Sequence, residues 1–175
     1  MSRWNQDAYI KALIFAGNAH GSQRVPGTQL PYLAHLSLVS MEVMAAVSAE
    51  DGMDGTLAVQ CASLHDVIED AGIAWEQVAE LFGRAVADGV KALTKDSTLP
   101  KAEQMEDSLE RIRRQPREIW MVKLADRITN LQPPPAHWTP EKIVRYRHEA
   151  VQIHAALQDA SPFLAARLLD KIEHY

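Results

Sequence analysis

Apolar positions recur along this chain at helical spacing and show no convincing alternation with a period of two. Between residues 5 and 19, Ile10, Leu13 and Ile14 mark one face of a first helix, and Gly21, Pro26, Gly27 and Pro31 make the next stretch a loop. A second helix is predicted from about Ala34 to Ser48. Asp54 is placed to cap a third, which runs through Leu57, Cys61, Leu64 and Ile68 until Gly72 stops it. Shorter helices follow near 74 to 82 and 84 to 95, then a charged amphipathic segment from 99 to 114. Pro116 opens a helix that reaches about Leu131 and is ended by Pro133, Pro134 and Pro135. Thr139 before Pro140, and Ser161 before Pro162, each pair a capping side chain with a proline at the first helical position, so two more helices close the chain. The expected architecture is an all-α helical bundle of about eight or nine helices, one domain spanning 1–175.

Composition narrows the partners. The 175 residues are 47% hydrophobic and 23% charged, ordinary for a chain with a sizeable core, and the net charge of −5 repels nucleic acid and anionic membranes on average. A polyanionic ligand would need a local basic pocket. Asp7 and Lys11 interrupt the apolar stretch around Leu13, Ile14 and Phe15, no apolar run approaches the roughly twenty residues that cross a bilayer, and the lone Cys61 cannot form an internal disulfide. A cytoplasmic location is expected, with no nucleic-acid or membrane partner and the oligomeric state open. Cys61, Trp4, Trp75 and Trp120 read as packing residues.

Four polar side chains disagree with a bland bundle. In His65-Asp66-Val67-Ile68-Glu69-Asp70, at about 100° per residue, the four polar groups share one side of the predicted third helix. Glu69 and Asp70 sit just before Gly72, at the negative end of the helix dipole, where an anion is disfavoured by roughly 0.3–1 kcal/mol, so something cationic is expected beside them. Asp126 lies four residues after Val122 and seven after Ile119, which points a carboxylate inward; such a group pairs with Arg or Lys, takes a proton or binds a metal. His35 shares a face with Leu38 and Val39 and by itself reads more often as a core histidine. Taken together, His35, His65, Asp66 and Asp126 offer two imidazoles and two carboxylates. That set suits one divalent metal, Mn²⁺ if the site is octahedral, with Fe²⁺ or Zn²⁺ as alternatives.

The order of these residues on successive helices resembles the HD superfamily of metal-dependent phosphohydrolases. Three stretches narrow the match: Ala19-His20-Gly21-Ser22-Gln23-Arg24 followed by Pro31-Tyr32-Leu33-Ala34-His35, then Ala62 through Asp70, then Lys123 through Asn130. They are similar to the hydrolase domain of RelA/SpoT homologues, and Thr98-Leu99-Pro100-Lys101 with Trp138 through Tyr146 extends the likeness to the stand-alone small alarmone hydrolases. The resemblance implies an HD-domain bundle that removes the 3′-pyrophosphate from (p)ppGpp, or from an adenosine equivalent, using Mn²⁺. It further implies Glu69 and Asp70 as the groups that position or deprotonate water, and contacts to a phosphorylated nucleotide from Arg24, Lys101, Asn130 and Tyr146. Lys123 and Arg127 fit a salt bridge within the helical core equally well. The chain departs from the family pattern with Val25 after Arg24, Leu36 after His35, and Thr129. Two other functions stay open on sequence grounds: a nucleotidase or phosphatase acting on another nucleotide, and an antitoxin or regulatory module that neutralises an alarmone-synthesising toxin.

Overall fold

The computed structural model describes residues 3 to 175, leaving the first two positions of the expected domain outside the described residues. Nine α-helices are described: α1 (Gln6–His20), α2 (Tyr32–Ala49), α3 (Gly55–Leu64), α4 (Trp75–Phe82), α5 (Arg84–Leu93), α6 (Gln104–Arg113), α7 (Arg117–Asn130), α8 (Pro140–Leu157) and α9 (Pro162–His174). A single 3₁₀ turn, Gln158–Ala160, joins the last two, and no strand occurs among the described residues beyond one isolated bridge between Arg24 and Pro31. The capping residues act as their chemistry predicts. Asn5, Asp54, Thr139 and Ser161 each accept a hydrogen bond from a backbone N–H in the first turn of the helix that follows, relieving donors that have no partner inside the helix.

Helix α7 is the axis of the molecule. It packs against α2, α3, α5, α6, α8 and α9, and Ile119, Met121, Val122, Leu124 and Ala125 are wholly buried in it. Helix α2 has the length and composition of a membrane span, but it is wrapped by α1, α3, α7 and α9 and buries His35 and Glu42 along with Leu36, Val39 and Val43. The Glu42 carboxylate is met by the Arg167 guanidinium at 2.6 Å, which ties α2 to α9. The other partner expected on the His35 face, Leu38, is largely exposed, and Leu36 takes its place inside.

One expected element is shorter than its sequence pattern. The third helix stops at Leu64 rather than continuing to Gly72, and residues 65 to 71 form a run of turns. His65 explains the break. Its Nδ1 lies 2.9 Å from the Ala62 carbonyl, engaging a backbone acceptor at the very end of the helix. The chain is then held by three turn hydrogen bonds: the Val67 N–H donates to Leu64 O, Asp70 N–H to Asp66 O, and Ile73 N–H to Val67 O.

Close packing under this turn depends on Gly89 in α5. A Cβ there would come within 2.5 Å of Ile119 Cδ1 and 3.1 Å of Cys61 Sγ, in the gap where α5 crosses α3 and α7. Overpacking of this kind costs about 1–3 kcal/mol. Gly89→Ala is therefore expected to lower the thermal midpoint by several degrees, and calorimetry showing an unchanged or raised midpoint would contradict so tight a crossing.

Candidate metal centre and active site

Four side chains from three segments converge at the crossing of α2, α7 and the 65–71 turn. His35 arrives from the first turns of α2, His65 and Asp66 from the turn that follows α3, and Asp126 from the last turns of α7. His35 Nε2 is 3.3 Å from His65 Nε2 and 3.7 Å from Asp66 Oδ2; His65 Nε2 is 3.0 Å from the same oxygen. Asp126 Oδ1 lies 3.5 Å from His35 Nε2 and 3.8 Å from His65 Nε2.

The donor chemistry fits a divalent cation. Because the Ala62 carbonyl can only accept, His65 carries its proton on Nδ1 and turns the Nε2 lone pair toward the carboxylates in the neutral ring. Atoms bound to one ion at about 2.1 Å lie roughly 3.0 Å apart at adjacent octahedral corners and roughly 4.2 Å apart at opposite ones, and the separations of 3.0 to 3.8 Å here fall between those limits. Burial works against the charged ring of His65, yet Asp66 and Asp126 raise its pKa to about 9. Burial likewise raises the carboxyls, but His65 beside Asp66, and Lys123 with both histidines beside Asp126, hold the two acids well below the usual carboxylate range. A field that demands positive charge among these four groups is met by a divalent ion with both imidazoles neutral.

Each carboxylate is fixed by its neighbours. Tyr32, one turn before His35 on α2, donates its hydroxyl to Asp66 Oδ2 at 2.5 Å, and burial together with Asp66 pushes the phenol pKa far up, so it remains a donor. Asp126 accepts from Asn130 Nδ2 at 2.6 Å and from Lys123 Nζ at 3.2 Å, both on α7. The salt bridge expected of Lys123 within the helical core is thus made to Asp126 itself.

Glu69 and Asp70 flank the cluster on the same turn and have different surroundings. Both oxygens of Glu69 are occupied by Lys95, whose backbone N–H donates at 2.9 Å and whose ammonium lies at 3.2 Å. Lys95 is the cation that the sequence called for beside these acids, although the negative end of α3 falls at His65 rather than here. Asp70 accepts a hydrogen bond at Oδ2 from Gln23 Nε2, 2.9 Å away.

The cluster opens into a cleft with two lobes. The inner one, a cavity of about 180 Å³, is walled by Tyr32, His35, His65, Asp66, Glu69 and Asp70 together with Lys95, Lys123, Asp126 and Asn130. The outer one, about 320 Å³, shares those last four residues and adds Lys101, Ser108, Arg127, Tyr146 and Glu149. Arg127 is buried with its guanidinium 4.3 Å from the centre of the Tyr146 ring and Nη2 3.3 Å from Glu149, while Nε and Nη1 have no protein partner among the described residues. A larger cavity of about 490 Å³ lies on the far side of Lys95 and contains none of the four converging groups.

Residues 12 to 162 match the HD domain family. The chain belongs to that family. Among curated relatives, the guanosine-3′,5′-bis(diphosphate) 3′-pyrophosphohydrolase MESH1 of Xenopus tropicalis is 29% identical over 91% of this chain and 89% of its own length. The human protein of the same name is 30% identical over 85% of this chain and 84% of its own. The solved structure reported for a metazoan ortholog of SpoT, which hydrolyzes ppGpp and plays a role in starvation responses, superposes with a TM-score of 0.83 at 26% identity, covering 98% of this chain and 97% of that one.

Of the residues singled out in the sequence, the HD-family cleft gathers His35, His65, Asp66, Asp126, Glu69, Asp70, Asn130, Lys101 and Tyr146 on its walls. Arg24 is different: it is exposed on the loop between α1 and α2, outside both lobes, and it is the neighbouring Gln23 that reaches Asp70. Tyr32 and Lys95 escaped sequence reasoning. Tyr32 carried a usable signal, since it stands three residues before His35 on one helical face. Lys95 carried none, because the path of the chain after α5 alone brings it across to Glu69.

Divalent cation is expected to raise the thermal midpoint of chelator-treated protein, because an ion held only by the folded cluster stabilises by about 2.7 kcal/mol at one hundred times its Kd. Asp66→Ala should remove most of that increase, measured against its own metal-free midpoint, which is expected to fall because Tyr32 and His65 lose their partner. An equal increase in the variant would place the ion elsewhere.

Proposed function

We propose that this protein is a metal-dependent alarmone hydrolase that removes the 3′-pyrophosphate from a guanosine or adenosine alarmone. The observation that carries the proposal is the junction of an acidic, histidine-bearing cluster with a cleft lined by Lys95, Lys101, Lys123 and Arg127, on a chain whose net charge is −5. So many cations gathered at one cleft suit a substrate carrying several phosphates.

His35, His65, Asp66 and Asp126 would hold the ion, and Mn²⁺ is the favoured occupant for a mixed set of imidazole nitrogens and carboxylate oxygens. Such an ion supplies Lewis-acid polarisation of a phosphoryl group and acidifies water. Asp70 takes the proton from the attacking water, because its carboxylate is engaged by a single neutral amide, whereas Glu69 is committed to Lys95 at both oxygens. The water oxygen bonds to the proximal phosphorus of the 3′-pyrophosphoryl group, the bond from that phosphorus to the 3′ oxygen breaks, and that oxygen takes up a proton. Glu69 holds the Lys95 ammonium at the point where the two lobes meet, where it can neutralise phosphate charge. Lys101 and Tyr146 contact the remaining phosphates from the outer lobe, and Asn130 holds Asp126 while facing the nucleotide. Arg24, exposed on its loop outside both lobes, would meet only a part of the nucleotide that extends beyond the cleft. A phosphorylated nucleotide substrate and the buried, unpaired Cys61 are in keeping with a cytoplasmic location.

Purified protein with Mn²⁺ is expected to release pyrophosphate from ppGpp, pppGpp or ppApp, with GDP, GTP or ADP as the nucleotide product identified by chromatography. Failure on all three would overturn the proposal. Within it, Asp70→Asn should lower kcat by about 10²–10⁴-fold and Glu69→Gln by about tenfold. The reverse order in steady-state kinetics would make Glu69 the base.

A further inference from the structure

Resting on the reading of Asp70 as the proton acceptor, we propose that Gln23 and His20 are positioning residues: a buried imidazole and an amide that aim the Asp70 carboxylate without touching substrate or metal. The tie is short and directional. His20 Nδ1 lies 2.8 Å from Gln23 Oε1, and Gln23 Nε2 lies 2.9 Å from Asp70 Oδ2. An amide oxygen only accepts, so Nδ1 carries the proton; a carboxylate only accepts, so the amide nitrogen must face Asp70. Reversing the amide would set two acceptors against each other at the carboxylate. The acid therefore fixes the orientation of Gln23, and Gln23 fixes the tautomer of His20.

The backbone holds the same arrangement rigid. Gly21 ends α1 at a φ of 51°, a left-handed conformation that glycine adopts without strain, and the Gln23 N–H then donates to His20 O. The Tyr32 N–H donates in turn to Gln23 O, so Gln23 is pinned between the end of α1 and the start of α2. The His20 ring stacks on Tyr32 at 4.7 Å between centres, and it is the Tyr32 hydroxyl that holds Asp66. One buried side chain thus supports both ends of the 65–71 turn, Asp66 through Tyr32 and Asp70 through Gln23.

Stability does not account for a histidine here. His20 is only 6% exposed and its Nε2 has no protein partner among the described residues. An aromatic hydrocarbon would keep the stack and remove the unmet polar atom. What the imidazole adds is the Nδ1 donor to Gln23.

The experiment uses the full-length protein with wild type as the reference. Gln23→Ala, on an exposed loop, should lower kcat by about 10- to 100-fold with KM and calorimetric metal affinity unchanged, because a displaced base slows chemistry without weakening binding. His20→Phe should show the same loss at an unchanged or higher thermal midpoint, and the double variant should be no slower than Gln23→Ala alone. In metal-free protein, the side-chain amide resonance of Gln23 should shift in Asp70→Asn and stay in place in Glu69→Gln. A Gln23→Ala variant with wild-type kcat, multiplicative losses in the double variant, or an amide signal indifferent to Asp70 each overturns the positioning role. Wild type that releases no pyrophosphate overturns instead the hydrolase reading, leaving the amide resonance to report the tie by itself.

Discussion

Two ionised carboxylates meet at one buried crossing, and much of the structure can be understood as the arrangement that tolerates them. Asp126 stands among the apolar residues of α7, where an unpaired charge would cost several kcal/mol. Lys123 and Asn130 on its own helix, the two histidines across the crossing, and the Tyr32 phenol on Asp66 share out the compensation. The same field that charges His65 in the bare fold favours a divalent cation held among these imidazoles and carboxylates.

The scaffold meets this demand with a departure from regular helix. Had the third helix continued to Gly72, His65, Asp66, Glu69 and Asp70 would have stayed together on one side of it, in the fixed order its geometry imposes. Stopping at Leu64 lets the 65–71 turn direct His65 and Asp66 to the cluster and place Glu69 and Asp70 at its margin, each with a separate outside partner. Lys95 follows α5 and Gln23 follows α1. Two adjacent acids thereby acquire unlike surroundings, which is the general way in which like groups come to serve different purposes.

Much of this was legible in the sequence. Caps such as Asp54, Thr139 and Ser161, and the prolines beside them, set the helix boundaries because they act through local hydrogen bonds that a sequence pattern contains. The inward aim of Asp126 followed from its spacing behind Ile119 and Val122. The turn at His65 was hidden because its cause is a side-chain contact with the backbone, and helical periodicity continues past it as far as Ile68. Lys95 was hidden for another reason: its partner lies 26 residues away, and only tertiary packing of α5 against α3 joins them. Arg24 shows the converse, a residue prominent in the sequence pattern whose side chain lies outside the cleft, while its quieter neighbour Gln23 reaches in.

Lys95 is a shared resource. It is an ammonium on the wall of both lobes, and it is already spoken for by Glu69. A phosphate arriving in the outer lobe and the carboxylate in the inner one must compete for the same charge. How firmly a ligand is held and how the acids behind it are electrostatically set are then one variable, and evolution could not tune either while leaving the other alone.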